Sequence, residues 1–151
     1  LTNAYGTWNS TYASTESDPS GIEADGNLDG NGSDHVGQSD FTMTKISIIN
    51  NSTYVMNAGV RIRRGAKATI TNCLVKNGSV KDFIDFTNSK GLANNASSVS
   101  LTKTNVTVTG SEVKNIGTVN NVSVTCTATA TIAAGNTGAD TSVFGWTGFT
   151  F

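Results

Sequence analysis

The stretch from residue 23 to residue 36, EADGNLDGNGSDHV, has the clearest spacing of oxygen-bearing side chains in the chain. Calcium loops place such oxygens at alternate positions, so that a tight turn wraps them around one hard cation. Counted from Asp25, the first, third, fifth and seventh positions of the loop carry Asp or Asn, and one more carboxylate follows. The candidate calcium ligands are Asp25, Asn27, Asp29, Asn31 and Asp34.

The second half of this stretch departs from the calcium pattern. Val36 stands at the twelfth position, where a bidentate Glu is expected, and no helix is predicted on either side. The stretch is therefore not an EF-hand. Glu23 can complete a non-helical site, while the alternative is a solvated loop rich in turn-forming residues. We interpret His35 as a loop histidine that bonds a neighbouring carboxylate, since no nucleophile motif accompanies it.

Arg61 and Arg63 belong to the main basic cluster, RIRRGAK. Val60 and Ile62, which alternate with them, are apolar, so strand alternation predicts that both arginines project outward from one strand. We expect them to pair with Asp82 or Asp85 on a neighbouring coil, or to bind an anionic glycan.

Aromatic residues are concentrated near the two ends of the chain. Exposed aromatic faces can stack on sugar rings, which makes Trp8 and Tyr12 candidate ligand-binding residues; the alternative is that an upstream coil covers them. For the C-terminal group we favour a cap that plugs the open core of a solenoid, with a sugar platform as the alternative. The two groups are Tyr5, Trp8 and Tyr12, and Phe144, Trp146, Phe149 and Phe151.

The composition is typical of a folded β protein with few charges. The 151 residues include 23 Thr, 17 Asn, 16 Ser and 16 Gly, and only 14% are charged, with a net charge of -1. Nucleic-acid binding needs a basic face, and a membrane span needs about 18 consecutive apolar residues, so neither is expected. The chain begins without Met, from which we expect a processed or truncated product. Cys73 and Cys126 are interpreted as small buried hydrophobes.

Apolar residues recur at spacing two in segments rich in Thr, Val and Ile, which predicts strands. Aligning Thr44, Thr71 and Thr104 gives TKISIINNS, TNCLVKNGS and TNVTVTGS, an internal repeat with coil-like intervals. A partial fourth copy begins at residue 120. The inward pairs that this alignment predicts are Ile46 and Ile48, Cys73 and Val75, Val106 and Val108, and Val122 and Val124.

The repeat favours an all-β, right-handed parallel β-helix, a solenoid that is a fragment of a longer helix. A β-sandwich is the alternative, although it does not require similar units at regular intervals. We expect one domain over 1–151. Its predicted parts are the tail of an earlier coil (1–16), a long loop (25–40), coils (41–135) and a C-terminal cap (136–151).

Several motifs resemble the C-terminal half of a family of secreted bacterial right-handed β-helix proteins, pectate-lyase-like solenoids mostly without an assigned role. The motifs are SDPSGIEADGN (17–27), SDFTMTKISIIN (39–50), GVRIRRGAKATITNCLV (59–75) and VFGWTGF (143–149). The resemblance implies export to the extracellular space or the cell surface, and polysaccharide as a partner, without a catalytic motif.

These expectations combine into a non-enzymatic, exported β-helix with a structural or binding role towards glycan or another surface protein. The main alternative is a polysaccharide lyase-like enzyme, in which an exposed Arg acts as the base beside a calcium ion held by carboxylates. A third possibility is a subunit of an extracellular assembly whose coil ends stack on another chain. No cofactor other than calcium is expected.

Overall fold

The computed structural model describes residues 1–9, 19–27, 38–87, 91–119 and 121–151. They form twelve β-strands and a short 3₁₀ helix, and within these ranges no helix has the length and apolar character needed to cross a bilayer. The elements are β1 (Thr2–Asn9), β2 (Ser20–Asp25), β3 (Asp40–Asn51), β4 (Val55–Arg63), β5 (Lys67–Lys76), β6 (Ser79–Asp85), β7 (Ser98–Thr104), β8 (Thr107–Val108), β9 (Val113–Lys114), β10 (Ile116–Val119), β11 (Val122–Thr125), β12 (Thr129–Ile132) and the 3₁₀ helix (Thr141–Thr147).

Most strands belong to two parallel sheets. Sheet A has the order β1-β3-β5-β7-β12, and sheet B has the order β2-β4-β6, with β8 and β9 both pairing with β6. From β1 to β7 successive strands alternate between the two sheets, so each pair of strands makes one coil and the coils stack. The predicted parallel β-helix is confirmed, and the alternative β-sandwich of antiparallel sheets is wrong.

The first two copies of the predicted repeat are stacked as expected. Thr44 lies opposite Thr71, Ile46 opposite Cys73 and Ile48 opposite Val75 in the pairing of β3 with β5. All four of these apolar side chains are buried in one core cluster that draws on both sheets. The sequence repeat therefore gave the correct register for this pair of coils.

The third copy of the repeat was aligned incorrectly. Cys73 lies opposite Leu101, and Thr104 pairs with Lys76 instead of with Thr71. The register shifts between Ile70 and Cys73 because β5 has two residues there where β7 has one. Matching on Thr displaced the copy, because Thr71 lies five residues from the real partner of Thr104, and the bulge accounts for only one of these residues.

Two other pairs of the predicted core column also lie elsewhere. Val108 pairs with Val80 in sheet B, and Val106 only packs against the edge of the core. Val122 and Val124 lie in an antiparallel hairpin of β10 with β11 and are exposed. The coils predicted for 41–135 are thus interrupted by this hairpin.

Residues with a left-handed backbone conformation form a column in sheet A and bend its strands. Asn3, Lys45 and Asn72 have φ angles of 66°, 57° and 49°. They occupy equivalent positions, because the preceding residues Thr2, Thr44 and Thr71 are in register. Asn tolerates this conformation well, so two of the three positions carry the residue type that the bend favours.

Both cysteines are free and buried, as predicted. Burial raises the pKa of the Cys73 thiol to about 12. Desolvation also raises the pKa of the Cys126 thiol, which donates a weak hydrogen bond to the carbonyl oxygen of Ala93 at 3.3 Å. Both thiols therefore behave as small core side chains.

Candidate functional site

The charged residues of sheet B form a ladder of alternating sign along the solenoid. Glu23 of β2 lies opposite Arg61 of β4, Arg61 lies opposite Asp85 of β6, and Asp85 lies opposite Lys114 of β9. Opposite charges at directly paired positions on adjacent strands attract each other, and parallel stacking repeats the arrangement at each coil. The strand register thus places each of these charged residues opposite a residue of the other sign.

Arg61 and Asp85 form the buried centre of this ladder. Nε of Arg61 lies 3.5 Å from Oδ2 of Asp85, and the two side chains are only 6% and 2% exposed. The other oxygen of Asp85 accepts hydrogen bonds from the backbone N–H and hydroxyl of Thr87. Lys114 contributes a further positive charge, 3.7 Å from Asp85 and 3.8 Å from Asp82.

The predicted pairing of Arg61 with Asp85 is confirmed, but the predicted outward, solvent-facing position of the arginines is wrong. The whole of Arg61 is 5% exposed and that of Arg63 is 9% exposed. From Ala58 to Arg63 every residue of β4 is buried, so neither face of this part of the strand meets solvent. Alternation in the sequence indicates opposite faces of a strand, but it does not indicate whether one face is covered.

Arg63 joins the ladder to the base of the predicted calcium loop. Its guanidinium contacts the carboxylates of Glu23 and Asp25, and its Nη2 lies 3.2 Å from Oδ2 of Asp25. Nη1 of Arg64 is 3.4 Å from the same oxygen. Both oxygens of Asp25 therefore face guanidinium groups, which neutralise the charge that was predicted to bind calcium.

The two ends of the predicted calcium loop are held together by hydrogen bonds. The backbone N–H of Asn27 donates to Oε1 of Gln38 at 2.6 Å, and the hydroxyl of Ser39 donates to the carbonyl oxygen of Asp25 at 2.7 Å. Three of the predicted ligands, Asp29, Asn31 and Asp34, lie outside the described residues, as does His35. Among the residues that are described, no three metal-ligating side chains converge.

Trp8 lines a cleft at the first coil, whereas Tyr12 lies outside the described residues. The cleft has a volume of about 450 Å³ and also contacts Glu23 and Met56. Trp8 is half-buried and packs against the core. Trp8 therefore lies near the charged ladder. The carboxylate of Glu23, which lines the same cleft, is paired with Arg63.

The C-terminal segment lies across sheet A and does not plug the last coil. Asn136 hydrogen-bonds to side chains of β7, Thr137 and Gly138 to Asn72 of β5, Ala139 to Ser47 of β3, and Asp140 to Asn3 of β1. We call residues 136–140 the strap. It runs back along the solenoid, so the segment 136–151, predicted as a cap, ends against the first coil.

The strap delivers the C-terminal aromatic residues to Tyr5 of β1. The ring centroid of Phe151 is 5.0 Å from that of Tyr5 and 5.6 Å from that of Phe144, and Phe149 is 5.0 Å from Phe151. These rings, with Thr7 and Thr147, line a cleft of about 230 Å³ that we call the aromatic cleft. Trp146, on the adjacent helix, is 84% exposed.

The sequence indicates both halves of the aromatic cleft, but only as two separate aromatic clusters near the two ends of the chain. No spacing relates residue 5 to residues 144–151, because they meet only after the chain reverses along the outside of the solenoid. The indirect signal was the polar segment GNTGAD before the aromatic residues, whose backbone N–H groups bind the polar side chains of sheet A.

Asp140 begins the 3₁₀ helix as its N-cap. Its carboxylate accepts hydrogen bonds from the hydroxyl of Ser142 at 2.6 Å and from the Ser142 backbone N–H at 3.1 Å. These bonds lower the pKa of Asp140, and attraction to Lys45 lowers it further. The ionised form therefore holds the first turn of the helix.

The cap of Asp140 predicts an acid-sensitive helix. A carboxylate whose folded pKa is lowered stabilises the fold above the pKa of the unfolded state, near 4, and this stabilisation is lost as the pH falls through the folded pKa. We expect Trp146 fluorescence to be constant from neutral pH down to about pH 5 and to change only below about pH 4. Asp140→Asn keeps an acceptor and should remove that transition, whereas a transition that persists in Asp140→Asn would assign it to another group.

Comparison with known proteins assigns the class of this fold. The family model described as a pectate-lyase like beta helix domain matches residues 2–150. The chain therefore belongs to the pectate-lyase-like β-helix domain family, as the sequence motifs indicated. Searches of curated proteins and of solved structures found no match.

Proposed function

We propose that this chain is a non-catalytic, extracellular glycan-binding β-helix domain, and that the aromatic cleft is its binding site. The observation that carries the proposal is the convergence of Tyr5, Phe144, Phe149 and Phe151 around one open cleft. Phe149 is 53% exposed and Phe151 is 45% exposed, so their faces are available to a ligand. A sugar ring presents apolar C–H faces that pack on such rings.

The lining of the aromatic cleft favours an uncharged sugar. Among the described residues, Thr7 and Thr147 are the only lining residues besides the four aromatic ones, and none of these six carries a carboxylate, ammonium or guanidinium group. Threonine hydroxyls can exchange hydrogen bonds with sugar hydroxyls, but they offer little discrimination for a uronate charge. The volume is below that of pockets for drug-sized ligands, which suits a single sugar unit of a longer chain.

The charged ladder supports a binding role over a lyase. A catalytic base must reach the proton that it removes from the substrate, but the Arg61 side chain is 6% exposed and lies beside Asp85. Arg63 and Arg64 form ion pairs with the carboxylate of Asp25. In this arrangement guanidinium groups contact the carboxylate that was predicted to bind calcium. The extracellular location rests on the sequence resemblance and on the scarcity of charges.

A binding panel tests the proposed function. Purified protein is applied to immobilised neutral polysaccharides (a β-glucan, a xylan and a mannan) and to polygalacturonate, while unsaturated products are followed by ultraviolet absorbance. We expect retention on at least one neutral polysaccharide and no product from any of them. Phe149→Ala should weaken that retention about tenfold, since one aromatic contact contributes about 1 to 2 kcal/mol.

Val143→Ala is the matched control for Phe149→Ala. Val143 lies on the 3₁₀ helix and is 52% exposed, but it does not line the aromatic cleft, so the wild-type affinity is expected. The proposed function is overturned if the wild type binds no neutral polysaccharide, if polygalacturonate is cleaved, or if Phe149→Ala and Val143→Ala bind alike.

A further inference from the structure

The aromatic cleft is assembled from two parts that are distant in the chain. Tyr5 and Thr7 belong to β1, whereas the other lining residues belong to the last eight residues. No residue of the 3₁₀ helix is buried, so the helix has little core packing of its own to fix its position. Its position must come from the ring contacts and from the strap that precedes it.

Asn72 makes more hydrogen bonds to the strap than any other described side chain of sheet A. Its Oδ1 accepts from the backbone N–H groups of Thr137 at 2.7 Å and Gly138 at 3.1 Å, and its Nδ2 donates to the Thr137 hydroxyl at 3.4 Å. The left-handed backbone of Asn72, with φ of 49°, places this side chain at the bend of β5. One side chain thus binds two successive backbone groups of the strap.

Gly138 brings the strap close to the sheet beside Asn72. It has φ of 73°, and a Cβ there would lie 2.8 Å from Cβ of Leu74 and 2.2 Å from the hydroxyl oxygen of Ser47. That hydroxyl accepts from the backbone N–H of Ala139 at 2.9 Å. The strap is therefore seated against β3 and β5, directly before the helix that carries the aromatic residues.

We propose that Asn72 is a positioning residue for the aromatic cleft: by holding the strap on sheet A it places the C-terminal rings against Tyr5, so that ligand affinity depends on a side chain that the ligand does not touch. The ligand part of this inference rests on the proposed function. Because the cleft exists only with the strap seated, a bound glycan should in turn stabilise strap docking by linkage.

Asn72→Gly is the test variant, since Gly accepts the left-handed backbone and removes only the side chain. Asn72→Asp restores an acceptor for the two backbone N–H groups. Asn121→Gly is the matched control, because Asn121 has φ of 65° in the turn between β10 and β11. Three readouts are compared: amide hydrogen exchange at residues 137–139, nuclear Overhauser contacts between the rings of Tyr5 and Phe151, and affinity for the neutral polysaccharide that the wild type binds.

In Asn72→Gly we expect exchange at residues 137–139 to rise at least about tenfold, the Tyr5–Phe151 contacts to weaken, and affinity to fall about tenfold, as the loss of two or three hydrogen bonds implies. The unfolding midpoint should match that of Asn121→Gly, and Asn72→Asp should recover most of the wild-type exchange and affinity. Added glycan should slow exchange at residues 137–139 in the wild type.

Unchanged exchange and ring contacts in Asn72→Gly would overturn the positioning role, whatever the protein binds. Faster exchange with unchanged affinity would show that Asn72 holds the strap without positioning the site, and would also overturn it. Failure of the wild type to bind any neutral polysaccharide is a different result. It would remove the proposed function, while exchange and ring contacts would still decide whether Asn72 places the rings.

Discussion

Asp85→Asn is expected to lower the free energy of unfolding by about 3 to 5 kcal/mol, because it removes the negative charge that is buried beside the guanidinium of Arg61. The Asp85 side chain is 2% exposed and lies 3.5 Å from Nε of Arg61. The amide keeps the shape of the side chain and its hydrogen-bond acceptor for Thr87. The loss of stability therefore measures the effect of removing the charge. Denaturant unfolding followed by circular dichroism measures the change.

The exposed pair of Lys103 and Glu112 provides the control for Asp85→Asn. These side chains are 33% and 49% exposed, and exposed ion pairs contribute at most about 1 kcal/mol. Glu112→Gln should therefore change stability by less than that. The double variant Arg61→Met, Asp85→Leu should recover much of the loss, since it removes both buried charges of the ion pair together. Equal effects of Asp85→Asn and Glu112→Gln would mean that Arg61 is hydrated.

Phe83→Ala is expected to destabilise the solenoid by about 3 to 5 kcal/mol. Phe83 is fully buried in β6, and its ring lies beside Gly59 of β4, where a Cβ would be 3.4 Å from the ring carbon Cδ2. The backbone carbonyl oxygen of Phe83 is closer still, 2.7 Å from that Cβ position. The parallel backbones cannot move together to fill the space that the ring leaves, so a cavity should remain.

The same denaturant experiment measures the effect of Phe83→Ala, and Val122→Ala is the matched control. Val122 is an apolar strand residue, but it is 63% exposed in the β10–β11 hairpin, so its truncation should cost less than about 0.5 kcal/mol. A loss below about 1.5 kcal/mol for Phe83→Ala would indicate that β4 and β6 collapse onto the cavity, in conflict with the close backbone packing at Gly59.

The sequence predicted the fold where its repeat is regular and failed where the repeat is irregular. Thr44 and Thr71 were matched correctly because the coils of β3 and β5 have the same length. Thr104 was matched incorrectly because a Thr at the end of β7 was aligned with a Thr in the middle of β5, five residues from its real partner Lys76. Hydrophobic alternation alone could not reveal this shift, because before the bulge the displacement is four residues, and an even displacement keeps the same side chains on the core face.

For the candidate site, too, the sequence predicted only part of the arrangement of the charged and aromatic residues. The pairing of Arg61 with Asp85 followed from the expected stacking of neighbouring coils. Its burial did not follow, because coverage of a strand depends on residues far away in sequence. The aromatic cleft was beyond reach because the strap returns from β7 to β1, and only three-dimensional contacts such as that of Asn72 with Thr137 show where it goes.

The aromatic cleft, and not the charged ladder, is the proposed binding site for the ligand. Backbone amide chemical shifts of the wild type, recorded during titration with the neutral oligosaccharide that the binding panel selects, test this most directly. We expect the largest changes at residues 5–7 and 141–151, with smaller ones along the strap at 136–140. Changes centred on residues 23–25 and 61–64, or no saturable changes anywhere, would contradict the account.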